Sequence, residues 1–365
     1  MIIKEANSLG LISDNIELYM GPVELGAPDN LEKVIISFID GSKKTLDIAV
    51  QELESKPIAE AIIAAKKRGV VINIVLEGDY LTLDESVDDP WTPSGENEMN
   101  REIHNALLRA KIDTHSDFNP HIFHQKFMIR DVERDDASLL TGSTNFTVTG
   151  THSNFNHIVI FHSKKVAGVY QDEFDEIQSG TFGKMKERHD PAPKTYEVSD
   201  IPVKMIFAPD HTPELEIMKQ MLKGKERIDF AIFTFSKSSG IDDTMVTLQK
   251  SGFKVRGVFD GWNVNQDWAA ARLVAKAGCE VYSVPHKEGV NKLHHKLMVI
   301  DKQVVIAGSF NYTGPANALN DENIVVIGKL KKDPAEETTQ LEKDIGAFAL
   351  GEINRIIENY GQPIQ

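Results

Sequence analysis

The chain has 365 residues, 41% hydrophobic and 26% charged. That composition predicts two domains, or one domain built by duplication, around a sizeable core, and it excludes disorder, collagen-like sequence and coiled coil. The net charge of −15 is polarised: residues 81–100 carry six acids and no Lys or Arg, whereas residues 244–296 carry eight Lys or Arg against four acids.

The single cysteine, Cys279, excludes a disulfide framework and a cysteine zinc site and suits a reducing cytosol. No run approaches the ~18 apolar residues of a membrane-spanning helix. Met1 to Gly10 shows no apolar signal region, so a cytoplasmic location is expected.

In chain order, Leu31, Val34, Ile35 and Phe38 fall on one face of a helix that precedes a buried strand, Thr45 to Val50. A second helix has Pro57 in its first turn, carries Ile58, Ile62 and Ala65, and stops at Gly69. The β-branched strand Val70 to Leu76 ends in Glu77-Gly78, and a third helix runs from about Glu98 to Ala110.

The same order then returns. A helix with Leu215, Met218, Met221 and Leu222 on one face precedes a strand from Ile228 to Phe235. Next come a helix from Ile241 to Gly252, a strand from Lys254 ending in Asp260-Gly261, and a helix from Asp267 to Ala277. Alternating strands and helices predict an α/β fold of two α/β/α lobes with mixed β-sheets. The lobes are expected over residues 1–183 and 201–365, joined by a Pro- and charge-rich linker at 184–200.

Each copy carries the same unusual string. The second reads His294-His-Lys296, then Asp301, then Gly308-Ser309-Phe-Asn311. The first reads His124-Gln-Lys126, then Asp131, then Gly142-Ser143-Thr-Asn145. Alternation along a strand puts the His and Lys of each pair on one face. A hairpin then returns to a turn bearing a hydroxyl and an amide. Cations, donors and imidazoles that can attack or protonate are the groups wanted around a phosphate.

The doubled His-x-Lys-x4-Asp string resembles the signature of the phospholipase D superfamily, across residues 16–180 and 201–350. The second copy matches throughout, whereas the first has four extra residues near Glu133 to Asp136 that lengthen its hairpin turn. The resemblance implies two lobes related by a pseudo-twofold axis, with the motif strands meeting at the interface. It also implies a metal-independent phosphodiesterase that forms a phosphohistidine and needs no cofactor. His124 and His294 are then the catalytic pair, and Lys126, Lys296, Asn145, Asn311, Ser143 and Ser309 the expected phosphate ligands.

Alignment of Ile158–Ile160 with Ile324–Val326 sets Asn156 opposite Glu322. By the same resemblance, Glu322 orients His124 as nucleophile and Asn156 holds His294 as general acid. Asp131 and Asp301 are expected to be structural supports.

A metal site at His121 or His295 is not expected, because neither has the helical or cysteine context of a zinc ligand set. His104, His115, His152, His157 and His162 read as packing or surface residues. Trp91, Trp262 and Trp268 are candidates for stacking on a substrate, with packing or solvent roles favoured. The expected substrate is nucleic acid, DNA or RNA, with the acidic 81–100 loop narrowing the cleft; the alternative is phospholipid hydrolysis or phosphatidyl transfer. Both half-sites lie in one chain, so no oligomer is required.

Overall fold

The computed structural model describes residues 10–83, 85–186, 192–330 and 338–364. Residues 1–9, Asp84 and residues 187–191 of the expected linker lie outside it.

Two mixed sheets repeat one strand order. The first runs Ile16–Gly21, Asn154–Phe161, Ser138–Gly142, Lys126–Arg130, Thr45–Val50, Val71–Leu76 and Asp113–Ser116. The second runs Ile201–Ala208, Glu322–Ile327, Val304–Gly308, Lys296–Ile300, Arg227–Ile232, Lys254–Asp260 and Glu280–Val284. In each, the last three strands pair in parallel through helical crossovers, and the motif strand joins them antiparallel. The two expected α/β lobes are therefore present as one topology used twice.

Each motif strand is buried on both faces. Phe127 and Ile129 enter the core shared by the lobes, while Met128 faces the outer helices of the first lobe. Leu297 and Val299 enter the same shared core, and Met298 and Ile300 face the outer helices of the second. Helices Lys164–Gln178 and Gln340–Tyr360 contribute Tyr170, Phe174, Ile353 and Ile356 to that shared core. A strand enclosed in this way fixes its register, because a slip by one residue would exchange its two apolar faces and misplace the His and Lys at its start.

Three details depart from expectation. Helix Pro213–Lys223 buries Ile217 and Met221, leaving Leu215 at 45% and Leu222 at 62% exposure. Its inward face also takes Glu216 and Gln220, whose polar ends bond to each other while Glu216 pairs with Lys204. Thr195–Val198, expected in the linker, forms a strand paired with Ile201–Ala208.

The third helix of the second lobe spans only Ala271–Lys276. The chain before it turns at 266–268 and is pinned by a bridge from Ala269 to Ser236 and an Ala270 N–H bond to Phe235. The turn after the first motif strand is four residues longer than its counterpart, occupying 131–137 against 301–303. No helix among the described residues is long and apolar enough to cross a membrane.

Candidate active site

The lobes meet where the motif strands begin. The backbone N–H of His124 donates to Asp321 of the second lobe at 2.9 Å, and that of His294 donates to Phe155 of the first at 3.0 Å. Glu77 and Asp260, each ending a parallel strand, accept the N–H of Phe123 and Leu293, the residues just ahead of the two histidines. The acid–glycine pairs that close these strands thus clamp the lead into each motif. Their repetition was visible in the sequence, but their role was not.

These clamps bring the rings of His124 and His294 to 6.4 Å between centroids, edge to face. Each is held by the opposite lobe. Nδ1 of His124 lies 2.7 Å from Oε2 of Glu322. Nδ1 of His294 lies 3.0 Å from Oδ1 of Asn156 and 3.1 Å from the carbonyl of Ser143. The Ser143 carbonyl places a proton on Nδ1 of His294, and Glu322 in its ionised form does the same for His124, so that neither Nε2 is engaged by these bonds.

Lys126 and Lys296 are buried beside them. Lys126 donates to Gln51 Oε1 and the His124 carbonyl, each at 3.0 Å, and Lys296 donates to the His294 carbonyl at 2.8 Å. Burial pushes Lys126 down to about 8 and Lys296 well below the usual ammonium range. Burial, reinforced by these two cations, also holds His124 and His294 well below the ordinary imidazole value. Glu322 is pushed up to about 8 by burial, against the opposing pull of Lys126, Ser309 and Lys296. The site is desolvated and carries two buried lysines, so it favours a group that brings negative charge.

The remaining expected ligands divide. The hydroxyls of Ser143 and Ser309 were expected on phosphate; they are fully buried and donate instead to Asn156 (2.8 Å) and Glu322 (2.6 Å), so they steady the residues that hold the histidines. Gly142 and Gly308 have φ of +155° and +153°, and a Cβ at either would collide with a backbone carbonyl, which explains the glycine of this turn. Asn311 accepts the Thr234 N–H at 3.3 Å through Oδ1, whereas the Asn145 amide nitrogen donates to Glu52 at 2.9 Å.

Asp131 and Asp301 lie at the far end of the motif strands. Asp131 accepts N–H groups of Lys43, Lys44 and Thr45; Asp301 accepts those of Lys225, Glu226 and Arg227. Both have φ above +50° and close a turn, away from His124 and His294.

Sequence reasoning missed the residues that make the two halves unlike. Where the first lobe has Gln51, the second has Phe233, whose ring centroid lies 5.0 Å from that of His294 and beneath the ammonium groups of Lys292 and Lys296 at 5.6 and 5.0 Å. Neither residue belongs to the repeated string, so no local signal marked them. Exposed Trp262 stacks on His286, which bonds to Asp260, so this tryptophan stands beside the second motif. Trp91 and Trp268 are exposed without ring partners among the described residues.

The acidic loop is tied to its following helix by Arg101, which donates to the carbonyls of Thr82, Ser94 and Glu96. His115, His152 and His162 pair with surface acids; His104 is partly buried; His121 is exposed. No cluster of three or more potential metal ligands occurs among the described residues.

Two lobes that each bring a histidine and a lysine to one junction make a composite site of the kind phosphodiester chemistry calls for. Comparison with known proteins agrees. The chain belongs to the phospholipase D-like family: the family model described as "Cardiolipin synthase, PLD-like domain" matches residues 35–178 and 217–345, one segment in each lobe.

A phospholipase D of Rickettsia bellii (strain RML369-C) is 28% identical over 163 residues, 42% of this chain and 77% of that protein. The mitochondrial cardiolipin hydrolase of Homo sapiens is 30% identical over 110 residues, 30% of this chain and 42% of that protein. Among solved structures, the phosphatidylserine synthase of Haemophilus influenzae Rd KW20 superposes with a TM-score of 0.65 over 98% of this chain and 88% of that one, at 13% identity, which shows a common fold. The protein is a phosphodiesterase of this superfamily.

Proposed function

We propose that the chain cleaves a phospholipid phosphodiester through a phosphohistidine, with His124 as nucleophile and His294 as general acid. The observation that carries the chemistry is the pair of imidazoles from opposite lobes, 6.4 Å apart between two buried lysines. Neutral His124, its Nδ1–H held by Glu322, attacks phosphorus through Nε2. The N–P bond forms as the P–O bond to the leaving group breaks, and His294 gives that oxygen its proton.

The ring of His124 becomes cationic in this step, so a carboxylate behind it stabilises the transition state more than the ground state. Lys126 and Lys296 neutralise the non-bridging oxygens. Neutral His294 then takes a proton from water, whose oxygen attacks phosphorus; the N–P bond breaks and His124 is restored. Burial disfavours the protonated form of His294, and an incoming anionic phosphate favours it. Proton donor and substrate therefore arrive together.

The choice of phospholipid over the nucleic acid expected from sequence rests on the relatives named phospholipase D and mitochondrial cardiolipin hydrolase. The cation surplus over residues 244–296 supports nucleic acid as the second reading. Purified protein is assayed in excess EDTA against cardiolipin, phosphatidylglycerol and phosphatidylcholine vesicles and against single- and double-stranded DNA and RNA. Lipid turnover without nucleic-acid cleavage supports the first reading and the converse supports the second; strict dependence on a divalent metal overturns the mechanism.

A further inference from the structure

Directly behind each motif histidine runs a fully buried relay that joins the lobes and ends on a helix carboxylate. Behind His124 it is built of amides. Thr141 and Tyr170 hydroxyls donate to Oδ1 of Asn323 at 2.8 and 3.0 Å, and Asn323 Nδ2 donates to Gln125 Oε1 at 2.6 Å. Gln125 Nε2 in turn donates to Glu173 at 3.3 Å, and Lys186 sits beside that carboxylate.

Behind His294 the same positions hold imidazoles. The Gly308 N–H donates to His157 Nε2 at 3.1 Å, and Nδ1 of His157 lies 3.1 Å from Nδ1 of His295. His295 Nε2 lies 3.4 Å from Glu352, which Arg355 grips at 2.8 Å. The two rings are near-parallel, 6° apart, and wholly buried.

The ends of the imidazole relay fix its protons. Gly308 can only donate, so His157 carries its proton on Nδ1; His295 accepts there and donates from Nε2 to Glu352. One further proton on either ring has no place: it sets two N–H groups against each other, at Gly308 or between the rings. The amide relay meets no such limit, because amides do not titrate.

We propose that His157 and His295 are the positioning pair of the His294 half-site, and that this junction, unlike its amide twin, fails in acid. His295 follows His294 in the motif strand, and His157 follows Asn156, the residue that holds the His294 ring. The Ser143 hydroxyl joins the two levels, donating to Asn156 at 2.8 Å and lying 3.2 Å from His157 Nδ1. The charged groups facing the pair are Glu352 and Arg355 on the last helix and Lys296 on the motif strand. Burial first, then the second ring and Lys296, hold His157 well below the ordinary imidazole range; burial likewise lowers His295 against the opposing pull of Glu352.

The unfolded chain therefore takes up protons that the fold refuses, starting near pH 6.5 and increasing as pH falls, and stability is lost in that direction. At pH 5 an imidazole that stays neutral in the fold contributes at most roughly 30-fold to the unfolding constant, and the pair at most about a thousandfold.

The test converts the imidazole relay into the amide one. His157→Asn with His295→Gln reproduces Asn323 with Gln125, and each single substitution leaves a mismatched pair. In urea unfolding at pH 7.5 and 5.0, wild type is expected to lose up to about a thousandfold more than the double variant; a difference under about threefold overturns the inference. At pH 7.5 each single variant is expected to lose kcat, and the double variant to regain it and to keep it further into acid. Singles as active as wild type, or a double no better than the singles, overturn the positioning role.

Should the double variant not fold, nitrogen NMR of wild type decides. His157 is expected as the Nδ1–H tautomer and His295 as the Nε2–H tautomer, neither titrating between pH 8 and 5.5; titration of either ring in the folded protein overturns the inference. The positioning role rests on reading His294 as proton donor, so absence of any phosphodiester turnover defeats that reading, while the unfolding and NMR results still judge the relay.

Discussion

Replacing Glu322 with Gln keeps the shape of the site and removes a carboxyl that burial pushes up to about 8 and that a cationic imidazole facing it draws into its ionised form. The carboxylate accepts from His124 at 2.7 Å and from Ser309 at 2.6 Å in a fully buried setting. In the ground state it faces a neutral imidazole, and in the transition state an imidazolium. A charge-assisted bond of this kind contributes about 1.5–3 kcal/mol against about 0.5–1.5 for a neutral one, and an amide that presents its NH2 to Nδ1–H also disturbs the tautomer.

A loss of about 2–4 kcal/mol converts to about 30- to 1,000-fold in the phosphorylation step. Asn156→Ala is expected to cost less, about tenfold, because His294 Nδ1 keeps the Ser143 carbonyl at 3.1 Å as acceptor. Single-turnover release of p-nitrophenol from bis(p-nitrophenyl) phosphate measures the step, and KM is expected to move little. Glu322→Gln within threefold of wild type, or Asn156→Ala as the worse variant, refutes the assignment of the two histidines.

Lys126→Met and Lys296→Met are each expected to lower kcat/KM by at least a hundredfold, yet to leave the melting temperature unchanged or raise it by a few degrees, since each removes a buried cation; calorimetry beside the kinetic assay checks both. Sulfate, whose charge is constant above pH 4, is expected to bind up to about tenfold tighter per pH unit as pH falls from 9 through the Lys126 value of about 8, because the anion favours the protonated lysine. Calorimetric titration showing affinity independent of pH between 6 and 9 contradicts the cationic-pocket account. Asp301→Ala removes a carboxylate that caps three backbone N–H groups and puts alanine at a φ of 51°, so a loss of about 2–4 kcal/mol in urea unfolding is expected, with kcat per folded molecule unchanged.

The chain by itself determined the duplicated lobes, the motif residues at the interface and the family. Strand alternation, β-branched runs and a matched pair of strings are local signals, and each is repeated about 170 residues on. Even the pairing of Glu322 and Asn156 with opposite histidines was open to strand alignment plus resemblance. The turn insertion before Ser138 shifted one count by four without touching the register.

What only the tertiary structure decided is how partners far apart in sequence spend their hydrogen bonds. Ser143 and Ser309 looked like phosphate donors because a hydroxyl beside a motif has that potential in isolation; in the fold each first meets a buried acceptor, and an unmet buried acceptor is costly. Phe233 opposite Gln51, Lys186 against Asp321, and the imidazole relay opposite the amide one all depend on approaches between separate segments: 75 residues apart for Gln51 with Lys126, 138 for His157 with His295 and 198 for Asn323 with Gln125. Local periodicity reports which side of a strand is apolar. It carries no information on which polar group of another segment will be waiting there.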